Sequence, residues 1–136
     1  SLDVSKITVL GVSYKANVSD VRLSPAKDII SKLVELSKQV IVYDPKSSES
    51  FGAQKSTDLW NSISGSDMLI IVTNHDEFKN LDLNKIKSKM NTPIIVDTRR
   101  IFDSDRAEGI GIMYYAVGYR GKHKWKNQKF LKTHQY

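Results

Sequence analysis

The chain has 136 residues, 40% of them hydrophobic and 26% charged, which is the size and composition of one soluble globular domain. It lacks cysteine, which excludes thiolate catalysis and cysteine-ligated metals, and two of its three histidines are close to the C-terminus, so we predict no metal site. The formal charge is +6, no apolar run is long enough for a membrane span, and the N-terminus does not resemble a signal peptide; we therefore expect a cytoplasmic protein without membrane contact.

Apolar, β-branched runs alternate with amphipathic stretches along the chain. The runs predict strands at residues 7–12, 40–44, 68–73, 93–97 and 112–117, with a short edge strand at 53–55. Capping residues and apolar spacing predict helices from Ser24-Pro25 to about Ser37, with Ser24 as N-cap, from a Thr57 cap to Gly65, and over 81–90. This alternation predicts an α/β, Rossmann-like doubly wound fold, with a mainly parallel sheet of five to six strands and helices on both faces.

The ends of the predicted strands indicate where a ligand would bind. Parallel strands end at one edge of the sheet, and doubly wound folds bind ligands there, near the point where the strand order reverses. The groups that follow the strand ends are Tyr14-Lys15, Asp44, Asn74-His75 and Asp97-Thr98-Arg99. We therefore expect these side chains to surround a common site.

The segment GVSYKANVSDVRLSP, residues 11–25, follows the first strand but has neither the G-x-G-x-x-G spacing of a dinucleotide site nor the G-K-[ST] ending of a P-loop. Lys15 and Arg99 offer a point charge and a planar fork, which together suit a diphosphate. The helix that starts at Ser24 would add its positive end. Tyr14 could stack on a base or sugar, or belong to the core. Lys15 could also be an ordinary surface lysine, and Arg99 a salt-bridge partner of Asp97 or Asp103.

Other charged residues at this edge have structural alternatives. We expect Asp20 and Arg22 to pair with each other or cap loop amides, so that they brace the segment around Lys15. Asp44 would hold a ribose in a dinucleotide site, but the Asp-Pro sequence that it begins favours a turn. His75 beside Asp76 could serve in acid–base chemistry, although we favour helix capping by His75 or its neighbours.

Five motifs occur in one order: VLGVSYKANVSDVRLSP, VIVYDP, SDMLIIVTNHDEFK, IIVDTRRIFD and YYAVGY. Together, from residue 6 to about 119, they resemble the C-terminal, UDP-binding domain of the UDP-glucose/GDP-mannose dehydrogenase family. The members that look most similar act on UDP-N-acetylhexosamines, as UDP-N-acetylmannosamine dehydrogenases do. One departure is Leu23, which stands where the family pattern Arg-Glu-Ser-Pro has glutamate.

The resemblance implies a division of labour. Family enzymes oxidise the sugar C6 alcohol to a carboxylate; their NAD is bound by an N-terminal domain, and their catalytic cysteine also lies outside the C-terminal domain. This chain would then contain no catalytic or cofactor-binding residue, and would contact the UDP-sugar through Tyr14, Lys15 and Arg99. Expected partners are the UDP-sugar, the N-terminal NAD-binding domain and, in a homo-oligomer, further copies. We expect the chain to be part of a longer enzyme.

The excess charge is confined to the C-terminus. Residues 1–118, the expected nucleotide-sugar-binding domain, contain fifteen basic and fifteen acidic residues, whereas residues 119–136 contain six basic and no acidic ones. Trp125, Phe130 and Tyr136 interleave with these charges, so a stand-alone binding module that contacts nucleic acid through the tail is an alternative. A solvated terminal extension is the interpretation we favour.

Overall fold

A computed structural model of the chain describes residues 6–37 and 39–117. The described strands are β1 Lys6–Leu10, β2 Gln39–Tyr43, β3 Gln54–Ser56, β4 Met68–Ile71, β5 Ile94–Asp97 and β6 Met113–Ala116. The described helices are α1 Ala26–Leu36, α2 Leu59–Ile63, α3 Asp76–Lys79, α4 Leu83–Lys89 and α5 Ser104–Gly109. The predicted basic tail at residues 119–136 lies outside the described residues.

The six strands form one sheet in the order β3-β2-β1-β4-β5-β6, and every neighbouring pair is parallel. This is the strand order of a Rossmann fold, so the predicted fold class is confirmed, with six strands and no antiparallel pair among the described residues. The chain moves from β1 toward β3 and then crosses back to β4, on the other side of β1. The strand order therefore reverses between β1 and β4.

Helices cover both faces of the sheet, as predicted, but unequally. One core cluster joins the sheet to α2, α4 and α5 through buried residues that include Ile63, Ile86 and Ala107. The other joins the opposite face to α1 through Ala26 and Ile30, both fully buried. Burying an isoleucine side chain contributes roughly 2 kcal/mol, so α1 is held mainly by this apolar stripe.

Element boundaries differ from the predictions where capping residues lie side by side. α1 begins at Ala26 with Pro25 in the N-cap position, one residue later than predicted, yet the Ser24 hydroxyl still accepts the Ala26 N–H at 3.1 Å. The predicted Thr57 cap is wrong: Asp58 caps α2 by accepting the Asn61 N–H at 2.9 Å. Among the described residues, no helix is long and apolar enough to cross a membrane.

Candidate functional site

The loops that follow β1 and β4 meet at the point where the strand order reverses. Gly11 leaves β1 with a φ of +94°, a conformation that residues with a Cβ rarely adopt. A Cβ at Gly11 would overlap the side chain of Thr73 and approach the Thr73 nitrogen to 2.8 Å. Glycine is therefore required here by both the backbone conformation and the close approach of the two loops.

The segment after β1, residues 11–25, is called the Lys15 loop below. At its start the Thr73 hydroxyl donates to the Ser13 carbonyl at 2.6 Å, and the Ser13 hydroxyl donates to the Lys15 carbonyl at 2.8 Å. Ser13 and Thr73 are both fully buried. The backbone on which Lys15 stands is thus tied to the segment that follows β4, while the Lys15 side chain is exposed.

Further along the loop, Asn17 makes two hydrogen bonds to the segment after β4. Its N–H donates to Nδ1 of His75 at 2.8 Å, and its Oδ1 accepts the N–H of Asp76, the first residue of α3, at 3.0 Å. Asn17 has a φ of 62°, in the left-handed region that asparagine tolerates better than most residues. Lys15 therefore stands between two anchored positions, Ser13 and Asn17.

The capping role favoured for His75 is wrong for its side chain. His75 occupies the N-cap position of α3 but makes no capping hydrogen bond. Its ring is fully buried, its Nε2 lies 3.0 Å from Oδ2 of Asp44, and Asn17 caps the helix in its place. His75 thus joins the ends of β2 and β4 to the Lys15 loop.

Asp44 is committed to structural contacts, and the predicted Asp-Pro turn is confirmed. Its Oδ1 accepts the N–H groups of Lys46 and Ser47 at 2.7 and 3.0 Å, and its Oδ2 accepts the N–H of Val12 at 2.8 Å in addition to the His75 contact. Burial favours a higher pKa for Asp44, but the hydrogen bonds from His75 and the backbone amides lower its pKa below the ordinary value. With about four lone-pair positions per carboxylate, these four contacts leave none for a ribose.

Arg99 is held by backbone carbonyls. Its Nε donates to the Val72 carbonyl at 2.9 Å, its Nη2 donates to the Tyr14 carbonyl at 2.5 Å, and its guanidinium lies 5.2 Å from the centre of the Tyr14 ring. The alternative of a salt bridge to Asp97 or Asp103 is not observed among the described residues; the Arg99 group that donates to Asp97 is its backbone N–H, at 3.2 Å. Arg99 therefore connects the ends of β4 and β5 to the Lys15 loop.

A cavity of about 670 Å³ opens beside the Lys15 loop. Its lining residues are Tyr14, Lys15, Val18, Asp20, Arg22 and Leu23. Four of the six residues predicted for the site line this cavity. The other two lie next to it, since Ser24 follows the lining residue Leu23 and Arg99 contacts Tyr14.

Asp20 and Arg22 form the predicted pair. The Arg22 Nη2 lies 2.8 Å from Oδ2 of Asp20, its Nε donates to the same carboxylate at 3.0 Å, and the Arg22 N–H donates at 2.9 Å. These hydrogen bonds lower the pKa of Asp20 to about 2, and the positive charge of Lys15 contributes to that shift. Because both side chains are exposed, the pair contributes little to the stability of the fold.

Sequence reasoning missed Asn17 and the contacts of His75. The two residues are 58 positions apart, and no spacing rule connects them. Their location could have indicated the contact, because Asn17 follows β1 and His75 follows β4, the two strands between which the strand order reverses. Asparagine in a turn was a second signal, because it is a residue type that accepts a positive φ.

Comparison with known proteins agrees with this architecture. Residues 8–104 match the UDP-binding domain of the UDP-glucose/GDP-mannose dehydrogenase family. The chain is 36% identical over 119 residues to UDP-N-acetyl-D-mannosamine dehydrogenase of Methanocaldococcus jannaschii, covering 85% of this chain and 27% of that protein. It is 42% identical over 119 residues to UDP-glucose 6-dehydrogenase of Rickettsia bellii, covering 82% and 27%.

The fold of the chain is also similar to that of a solved dehydrogenase structure. The UDP-D-ManNAc dehydrogenase of Pyrococcus horikoshii superposes with a TM-score of 0.73 at 30% identity, covering 84% of this chain and 25% of that one. The chain thus spans about a quarter of the length of the relatives that it matches. Strand order, motifs and sequence identity agree, and the chain belongs to the UDP-glucose/GDP-mannose dehydrogenase family, whose UDP-binding domain it contains.

Proposed function

We propose that the Lys15 loop binds the diphosphate and nucleoside of a UDP-sugar. The observation that carries this proposal is the cavity at the reversal point of the strand order, where Lys15 and Tyr14 are both exposed. Ligands of doubly wound folds bind at this location. The family match is to a domain described as UDP-binding.

The residues of the cavity have different tasks. Lys15, whose backbone is anchored and whose ammonium is exposed, supplies positive charge for the diphosphate. Tyr14 is 49% exposed and has Arg99 near its ring, so it offers an aromatic surface of fixed orientation for a base or sugar. Because two of the guanidinium nitrogens of Arg99 bind carbonyls, we expect Arg99 to act mainly by holding Tyr14 and less by binding phosphate.

We further propose that this binding serves an NAD-dependent oxidation of the C6 alcohol of the sugar. The two curated relatives compared above are named as dehydrogenases of UDP-N-acetyl-D-mannosamine and of UDP-glucose. The NAD site and the cysteine nucleophile would belong to another domain of the enzyme, because this chain has no cysteine and Asp44 is not free for a ribose. Binding the UDP part would position the sugar for reaction.

The proposal also includes the domain bounds, the cellular location and the assembly of the enzyme. Residues 1–118 form the nucleotide-sugar-binding domain and residues 119–136 a basic extension that does not contribute to UDP binding. The enzyme acts in the cytoplasm as a homo-oligomer. Deleting residues 119–136 should therefore leave the affinity for UDP unchanged.

Calorimetric titration of the chain with UDP tests the proposal. Lys15→Ala should weaken binding about tenfold or more, since a charge-assisted hydrogen bond contributes roughly 1.5–3 kcal/mol. Lys32→Ala, which removes an exposed lysine from α1, is the matched control and should bind as the wild type does. Equal affinities for the Lys15 variant and the wild type would refute the assignment.

A further inference from the structure

We propose that His75, paired with Asp44, is a positioning residue that sets the conformation of the Lys15 loop and thereby the affinity for the UDP-sugar. The inference rests on the proposed function, which assigns ligand binding to that loop. His75 lines no part of the 670 Å³ cavity and acts through Asn17.

Both ring nitrogens of His75 are used, and their partners determine the tautomer. The backbone N–H of Asn17 can only donate, so Nδ1 must accept and carry no proton. The ionised Asp44 carboxylate can only accept, so Nε2 must carry the proton. The two contacts, at 2.8 and 3.0 Å, thus require the same neutral tautomer.

The surroundings of His75 make this orientation rigid. The side chain of His75 is 1% exposed and that of Asp44 is fully buried. The ring of Phe78, also fully buried, packs edge-on against the imidazole, with centroids 5.4 Å apart. The acceptor that faces Asn17 is therefore fixed by packing as well as by hydrogen bonding.

The hydrogen bond from Asn17 to His75 affects Lys15 because Asn17 lies two positions after Lys15 in the chain. Asn17 is held in a left-handed conformation with φ at 62°, and Ser13 is held by Thr73 on the other side of Lys15. Losing the acceptor at Nδ1 of His75 would remove one of the two hydrogen bonds of Asn17 and leave only its Oδ1 contact with the Asp76 N–H on that side of Lys15. The exposed part of the loop would then sample more conformations, and binding would have to supply the ordering.

Two substitutions of His75 test its hydrogen bonds to Asn17 and to Asp44 separately. In His75→Asn, Oδ1 takes the place of Nδ1, so an acceptor for the Asn17 N–H remains while the Asp44 contact is lost. In His75→Gln, the side-chain amide reaches the position of Nε2, so the Asp44 contact remains while the Asn17 acceptor is lost. Ile86→Val, on α4, serves as a control that lowers stability without touching the loop.

The readouts are the dissociation constant for UDP-glucose, the amide hydrogen exchange of Asn17, and the thermal midpoint of each variant. We expect His75→Gln to weaken binding by roughly fivefold to tenfold, the loss of about one net hydrogen bond. His75→Asn should retain most of the affinity even where it is the less stable variant. Equal affinities for the two variants, or losses that follow the thermal midpoint alone, would overturn the positioning role.

Different measurements test the positioning role of His75 and the proposed function: amide exchange of Asn17 tests the first, and UDP-glucose binding by the wild type tests the second. If the wild type binds no UDP-glucose, the proposed function fails, and faster exchange of the Asn17 amide in His75→Gln than in His75→Asn still supports the positioning of the loop. Equal exchange in both variants overturns it. Should either variant not fold, the scalar coupling across the hydrogen bond between the Asn17 amide nitrogen and Nδ1 of His75, measured in ¹⁵N-labelled wild type, decides: its presence supports the anchor, and its absence refutes it.

Discussion

At the scale of single residues, Gly11 allows the loops that follow β1 and β4 to approach each other closely. Gly11→Ala would place a methyl group into Thr73 at a positive φ, so we expect a loss of unfolding free energy of at least about 3 kcal/mol, the combined cost of overpacking and strain. Gly52→Ala, at a φ of 92° with no atom within 4 Å of the new Cβ, should cost only about 1 kcal/mol. Chemical denaturation measures both, and equal losses would contradict the close approach.

Asp44 gives the fold a dependence on pH. Because its folded-state pKa lies below the ordinary value of 3.8, its contribution is fully present above pH 3.8 and is lost as the pH falls through the folded-state value. Asp44→Asn should lower the unfolding free energy by roughly 3 kcal/mol at pH 7, because an amide cannot accept all four hydrogen bonds of the buried carboxylate, and by less as the solution is acidified below pH 3.8. Denaturation curves between pH 7 and 3 measure this difference; a difference that does not change with pH would contradict the assignment.

The sequence was sufficient to predict which residues lie at the ligand-binding edge of the sheet, but not which groups they contact. The location of Tyr14, Lys15, Asp20 and Arg22 at the edge of the sheet was predictable because they follow a strand end, and all four line the cavity. The contact of His75 with Asn17 was not, since it depends on how two loops from different strands lie side by side. Arg99 was assigned to the correct edge, but its carbonyl partners follow from loop geometry that no motif specifies.

At the scale of elements, the start of α1 depends on Ser24. Its hydroxyl accepts the Ala26 N–H, one of the donors that a helix N-terminus leaves unpaired. We expect Ser24→Ala to lower the unfolding free energy by about 1 kcal/mol. Ser31→Ala, at an exposed position of the same helix, should be neutral or slightly stabilising.

Thermal or chemical denaturation of the two serine variants tests this difference. If Ser24→Ala is as stable as Ser31→Ala, the hydroxyl does not cap the helix. The same chemistry explains the error at α2, where Thr57 and Asp58 are adjacent residues of capping type and the structure uses the second. Residue preference alone does not choose between such neighbours.

Short helices were missed for a related reason. α3 has four residues and α5 has six, too few for an apolar period of 3.6 to become visible; the five-residue α2 was predicted only from a capping residue before it and the glycine after it. Tertiary contacts define them: Asn17 caps α3, and Phe78 within it is fully buried. Longer elements such as α1 and the buried strands were predicted to within about two residues because their patterns repeat.

At the scale of the whole molecule, the strand order brings the site together. β1 and β4 are neighbours, although 57 residues separate the end of β1 from the start of β4 in the chain. Alternation of strands and helices predicted a doubly wound sheet, and the general rule for such sheets predicted the edge where a ligand binds. The sequence did not specify the six-strand order, which depends on the packing of helices on each face.

The proposed binding of the UDP part of a nucleotide sugar at this edge of the sheet can be observed residue by residue. Mapping amide chemical shifts of the ¹⁵N-labelled chain during titration with UDP tests it most directly. We predict saturable shifts concentrated at residues 12–18, 73–76 and 99, with the amides of α4 and α5 unaffected. Shifts confined to other surfaces, or no saturable shift at the Lys15 loop, would contradict the claim.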